Sequence, residues 1–182
     1  MRLRGAQGRR FLPGALTAFL LLALAACGGE AERAAADRST ALARFSEDAF
    51  TERGLRARYA GATRRSFSDA HGTQVAYLSA GGRSYLWYPG NRRVVAGEWE
   101  VRAGARRFAF ICFRYDPGTF NPVTRRPGGA WACQRADDFL LLEREVQRGD
   151  LFALSSGRVP FVMPKRDISL AALAARLGAG GG

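Results

Sequence analysis

At Thr73 the hydrophobic period of this chain changes from helical to two, and turn signals then recur every eight to fifteen residues. That combination restricts the fold to an antiparallel meander. Val75 and Tyr77 alternate with Ala76 and Leu78 until Ala80-Gly81-Gly82-Arg83 turns the chain, and Tyr85 and Trp87 alternate with Leu86 and Tyr88 until Pro89-Gly90-Asn91 turns it again. In residues 94–102 the alternation sends Trp99 and Val101 to a core and Glu98 and Glu100 to water, while Gly97 marks a bulge or a close backbone approach. Residues 107–115 carry Phe108, Phe110 and Cys112 on one face and Ala109, Ile111 and Phe113 on the other, as a central strand does. After a Pro/Gly-rich loop over residues 116–129 come Trp131-Ala132-Cys133, then residues 139–146, a turn at Arg148-Gly149-Asp150, and residues 151–154.

Helical patterns flank this β core of residues 65–155. Over residues 41–60, Phe45, Phe50, Leu55 and Tyr59 lie along one side, with Ser39 and Thr40 placed to cap and Gly54 interrupting. A last helix is expected over residues 168–177, capped by Ser169, with Leu170, Leu173 and Leu177 on one face and Gly178 ending it. The expected fold is α+β: about six or seven antiparallel strands, curved or partly closed, with short helices at both ends.

The N-terminus has a different character. Arg2, Arg4, Arg9 and Arg10 precede residues 11–26, which hold no charge, in the usual order of a secretion signal. Sixteen neutral residues broken by Pro13 and Gly14 are short for a bilayer span. The segment closes on Leu24-Ala25-Ala26-Cys27-Gly28, which resembles the lipobox of bacterial lipoproteins. The resemblance implies cleavage after residue 26, acylation of Cys27 and, since Gly28 is not aspartate, delivery to the periplasmic face of the outer membrane. A plain signal peptide cut after Ala26, or a short anchor, is the alternative. Residues 27–38 are small and charged and read as a tether, leaving residues 39–182 as one globular domain.

Charge is best counted without the leader. The chain has 28 basic and 16 acidic residues; the leader removes four arginines and no acid, so 24 against 16 gives +8 over residues 27–182. Lys165 is the one lysine, and the Arg-rich, Ala- and Gly-rich composition reflects codon bias as much as a need for positive charge. Nucleic acid is disfavoured as a partner by export and by aromatics that alternate into a core. In a meander Arg92 and Arg93 fall at the same end as the loop carrying Arg125 and Arg126, with Arg83, Arg106 and Arg107 at the other. Such rims suit an anionic envelope component or an acidic protein, or simply keep hairpin turns soluble. A pocket at the first end would be lined by Tyr115, Asn121, Arg92 and Arg125.

With Cys27 acylated, Cys112 and Cys133 remain, and an oxidising compartment makes a disulfide their natural pairing. No Cys-x-x-Cys motif occurs, and two thiols with one distant histidine make no credible zinc site, so no metal or cofactor is expected. His71 follows Asp69 by two residues and could pair with it on an extended segment, one piece of a catalytic apparatus. Ser66, Ser68 and Ser79 are near in sequence without a nucleophile-elbow context, and Asp69-Ala70-His71-Gly72 also reads as a plain turn. The pairs Glu98/Glu100 and Glu143/Glu145 read as solvated strand faces rather than a glycosidase dyad.

The segments Asp69-Ala70-His71-Gly72-Thr73, Tyr85-Leu86-Trp87-Tyr88-Pro89-Gly90-Asn91, Gly97-Glu98-Trp99, Ile111-Cys112-Phe113-Arg114-Tyr115, Asn121-Pro122-Val123-Thr124 and Trp131-Ala132-Cys133 together resemble a group of small exported bacterial proteins of unknown function. The resemblance implies a compact β domain with an inter-strand disulfide and brings no activity with it. The expected function is that of a lipid-anchored, non-enzymatic envelope binding or accessory module. The alternatives are a small hydrolase using Asp69/His71, or a protein inhibitor of the kind that blocks lysozymes, which a +8 domain would approach against like charge.

Overall fold

The computed structural model describes residues 29–105 and 108–179; the leader, Cys27, Arg106 and Arg107 lie outside the described residues. The chain divides into two compact units between Ala43 and Arg44. In the first, residues 29–42 are helical, so the segment read as a tether through residue 38 has regular structure from residue 29 on. Alanine, glutamate and arginine dominate this stretch without Gly or Pro beyond residue 29, so propensity alone favours helix even with no apolar face to bury.

The second unit opens with a 3-10 turn, Glu47–Phe50, and helix α1, Glu52–Tyr59. Thr51 caps α1, its Oγ1 accepting from the Gly54 amide at 3.0 Å. Gly54 therefore sits inside α1 instead of interrupting it. It is glycine because a Cβ there would lie 1.9 Å from the Asp48 carbonyl oxygen.

The strands that follow are β1 (Ala62–Ser68), β2 (Gly72–Leu78), β3 (Arg83–Trp87), β4 (Val95–Ala103), β5 (Ala109–Tyr115), β6 (Phe120–Asn121), β7 (Arg126–Pro127), β8 (Ala132–Arg135) and β9 (Glu143–Arg148), with α2 (Ala136–Leu141) between the last two and α3 (Leu170–Ala179) closing the unit. Among the described residues β6 and β7 form a small hairpin, and the rest one antiparallel sheet in the order β8-β5-β4-β3-β2-β1-β9. The meander and the α+β class are as expected.

The connection between the two edges dictates the curl. A flat seven-stranded sheet would hold its edges about 29 Å apart, at about 4.8 Å per strand. Only residues 136–142 separate β8 from β9, and as nearly two helical turns they cover about 10 Å. The sheet must therefore bend into a half-barrel, with α2 spanning its open side.

Each face of this sheet has its own core. On the concave face Trp99 pairs with Phe113 and Val101 with Ile111, under Leu55 and Tyr59 of α1 and Phe139 and Leu140 of α2. Gly97 lies opposite Tyr115, and a Cβ on it would come within 2.6 Å of that ring, so the expected close approach is real. On the other face Val75 and Trp87 pack against Phe152, Leu154, Met163, Ile168, Leu170 and Leu173. This unit holds the whole sheet, both cores and a disulfide, which is what a domain needs to fold alone.

One strand answers to no expected element, and two expected elements come out differently. β1 reads as polar, Thr63-Arg64-Arg65-Ser66, yet all four residues are buried. Arg64 is only 7% exposed, because its guanidinium lies over the Phe139 ring at 3.7 Å and donates to the Phe139 carbonyl at 2.7 Å. Residues 139–146 split into the end of α2 and β9, since the chain must cross between edges before it can pair with β1. Residues 151–154 form a turn into the 3-10 segment Leu154–Ser156, with Asp150 accepting from the Leu154 and Ser155 amides, so Phe152 and Leu154 enter the core without a ladder.

Candidate functional site

Two hairpin turns and the C-terminal segment meet at one end of the sheet. Gly72, at φ +75°, ends the Asp69-Ala70-His71-Gly72 turn between β1 and β2, and Gly90, at φ +80°, serves the turn after β3. Both need glycine for that left-handed backbone. The segment over residues 161–168 is laced across β2 and β3. Trp87 Nε1 donates to the Phe161 carbonyl at 3.0 Å, the Gly90 amide to the Met163 carbonyl at 2.9 Å, and Thr73 Oγ1 to the Arg166 carbonyl at 2.7 Å while accepting from the Ile168 amide at 3.0 Å. Arg65 holds the next stretch by ion pairs to Glu145 and Asp167, and Glu145 accepts from the Leu170 amide at the start of α3.

Between these elements lies an open groove of about 430 Å³, lined by His71, Tyr88, Pro89, Gly90, Val162, Met163, Pro164 and Lys165. Its volume falls within the range of small-molecule sites and its walls are mainly apolar. His71 and Lys165 are the chain's one histidine and one lysine. The His71 Nδ1 lies 3.0 Å from the Tyr88 hydroxyl, with the rings edge to face. Burial and then the Lys165 charge push the imidazole below its ordinary 6.5, and burial pushes the Tyr88 phenol up. Near neutral pH both are uncharged. A neutral imidazole that accepts from the phenol at Nδ1 carries its own proton on Nε2.

The Asp69/His71 pair of the hydrolase alternative does not form. Asp69 is exposed, and the ring nitrogen it would hold faces Tyr88. The nearby serines are engaged or remote from the groove lining: Ser68 Oγ accepts from the His71 amide at 3.3 Å, Ser79 Oγ from the Arg83 amide at 2.9 Å, and Ser66 is buried in β1. Among the described residues no group of three or more His, Cys, Asp or Glu is placed to hold a metal.

The other sequence candidates separate. Cys112 and Cys133 are disulfide-bonded directly opposite one another on β5 and β8, with Cα atoms 4.0 Å apart. Arg92, Arg93, Arg125 and Arg126 are exposed. Asn121 Oδ1 accepts from the Val123 and Thr124 amides at 3.0 Å each, which folds its own loop, and Arg125 sits at φ +56° with its amide on the Asn121 carbonyl. Tyr115 turns into the concave face beside Gly97, where burial pushes its phenol up. The groove includes none of these residues.

Glu143 departs furthest from its expected solvated face. It is 3% exposed and accepts from Arg58 Nε at 3.1 Å, from Arg58 Nη2 and from the Tyr59 hydroxyl. Glu98 and Glu100 do lie outward, paired with Arg83, Arg114 and Arg102. Tyr88 and Lys165 were not legible as site residues, because their meeting with His71 depends on chain segments 77 residues apart, between Tyr88 and Lys165. Comparison with protein-family models, curated proteins and solved structures found no match.

Proposed function

We propose that this chain is an exported protein of the bacterial cell envelope, anchored by acylated Cys27 at the periplasmic face of the outer membrane, whose domain acts as a non-enzymatic binding module. The observation that favours binding over hydrolysis is the engagement of His71 Nδ1 by Tyr88, with no carboxylate and no serine, threonine or cysteine among the lining residues. Hydrolysis needs a base aimed at a hydroxyl or thiol it can activate, and the group within reach of His71 Nδ1 is the Tyr88 phenol, which burial keeps protonated. The lipobox and the Cys112–Cys133 bond support the location, since disulfides persist in oxidising compartments. Several acyl chains hold a protein on a bilayer where one chain binds only marginally.

The test is fractionation of cells expressing wild type and Cys27→Ser, with intact mass of the purified proteins. Wild type should stay with outer membranes and carry acyl mass, and the variant should lose both. Equal solubility of the two, with no added mass, refutes the anchor. An ester, amide and glycoside panel on wild type and His71→Gln should show no difference; turnover lost with His71 refutes the non-enzymatic reading.

A further inference from the structure

We infer that the His71–Tyr88–Lys165 groove binds an amphiphilic monoanion, an aliphatic chain of medium length ending in a carboxylate. This inference rests on the binding-module reading and names its ligand class.

The walls select the apolar part. Val162 is 51% exposed beside Met163, which is 1% exposed, and Pro89 and Pro164 face the same space. A large aliphatic side chain left that open on a rigidly laced segment gains about 25 cal/mol per Å² when a ligand's hydrocarbon covers it. The polar groups select the head. Lys165 is the one formally charged residue in the lining at neutral pH, and no carboxylate is among the lining residues. With the Tyr88 hydroxyl donating to Nδ1 the imidazole's remaining nitrogen is a donor, and with Nδ1–H donating instead the phenol O–H is; the ammonium offers only donors, and the Gly90 amide is already spent on Met163. A carboxylate, which only accepts, matches that set; an alcohol forgoes the charge, and an amine meets repulsion and excess donors.

Lys165 is held at its root. A Cβ on Gly72 would meet Lys165 Cγ at 2.8 Å and Cα at 3.1 Å, so the stem lies on the bare glycine and only the outer part of the side chain is left to turn. The flanking acids do not compete for the head: Asp167 is paired with Arg65, and Asp69 lies outside the lining.

The composition provides the assay. With one histidine and one lysine in the chain, both in the groove, ring signals and the ¹³C-dimethyl signal of a methylated lysine report on this site without assignment, the N-terminal amine resonating apart. Methylation keeps the charge. Residues 27–182 carrying Cys27→Ser, which contain the self-sufficient unit, would be titrated with decanoate, decanol and decylamine below their aggregation limits. Decanoate should shift both signals saturably, decanol should bind at least about tenfold more weakly, and decylamine should give no saturable shift; about tenfold corresponds to about 1.4 kcal/mol. Lys165→Ala, followed by the His71 signal in a protein of unchanged amide spectrum, should lose the preference for decanoate over decanol. Absence of a saturable shift, equal binding of the three probes, or a preference that survives Lys165→Ala overturns the inference. None of these outcomes touches the Cys27 fractionation, and ester turnover would refute the non-enzymatic reading while leaving the selectivity series intact.

Discussion

Glu143 is a buried charge whose substitution should cost the domain heavily, and its surroundings set the size of the effect. Its carboxylate is 3% exposed, takes both arms of Arg58, and is the acceptor for the hydroxyl of Tyr59, itself 0% exposed. The buried Arg64 guanidinium interacts electrostatically with the same pair. In Glu143→Ala, Arg58 can recover water because it is about a third exposed, so that half of the ion pair contributes only about 1 kcal/mol or less. The Tyr59 hydroxyl cannot, and an unmet buried donor costs about 1–3 kcal/mol. Leaving Arg64 without a nearby negative charge adds to this, and the sum falls at about 3–5 kcal/mol, the usual range for breaking a buried pair. Glu143→Gln separates charge from volume: the amide fills the same space but presents N–H groups to Arg58, so at least about half of that loss should remain. The assay is urea unfolding with the disulfide intact, comparing midpoints at unchanged slope. If Glu143→Gln unfolds within about 0.5 kcal/mol of wild type, the carboxylate is a space-filler and the electrostatic reasoning fails.

Three further outcomes follow from the geometry. Gly97→Ala would place a methyl 2.5 Å from the Arg114 carbonyl oxygen and 2.6 Å from the Tyr115 ring, and should cost about 1–3 kcal/mol in the same unfolding assay. Replacing Cys112 and Cys133 by alanine, or reducing them, opens a loop with a sequence separation of 21 and should lower stability by about 3 kcal/mol, read as a midpoint difference with and without reductant. For His71, the folded-state pKa lies below the ordinary 6.5, so the unfolded chain binds more protons in that window and stability falls as pH drops below about 6.5. The NMR titration midpoint should therefore lie below 6.5, and His71→Gln should remove that part of the acid slope; a midpoint above 6.5 contradicts the burial argument.

The periodic part of the protein is legible in its residues alone. Alternation placed Trp99 and Val101 in a core and Glu98 and Glu100 outside it, glycines and prolines placed the hairpin turns, Ser169 caps the last helix by accepting from the Ala172 amide at 3.1 Å, and cysteine arithmetic paired Cys112 with Cys133. These features are local, or repeat with the period of the backbone, so neighbours in sequence carry the information. Tertiary structure decided everything that depends on the sheet being bent. Once residues 136–142 must bridge its two edges, β1 is enclosed, and its two arginines are buried against an aromatic ring and two carboxylates. The same curl buries Glu143 against α1 and turns Tyr115 inward. The groove belongs to that second class as well: its histidine comes from one turn, its tyrosine from another, and its lysine from a segment with no regular structure, whose place is fixed by hydrogen bonds to β2 and β3 rather than by any pattern of its own.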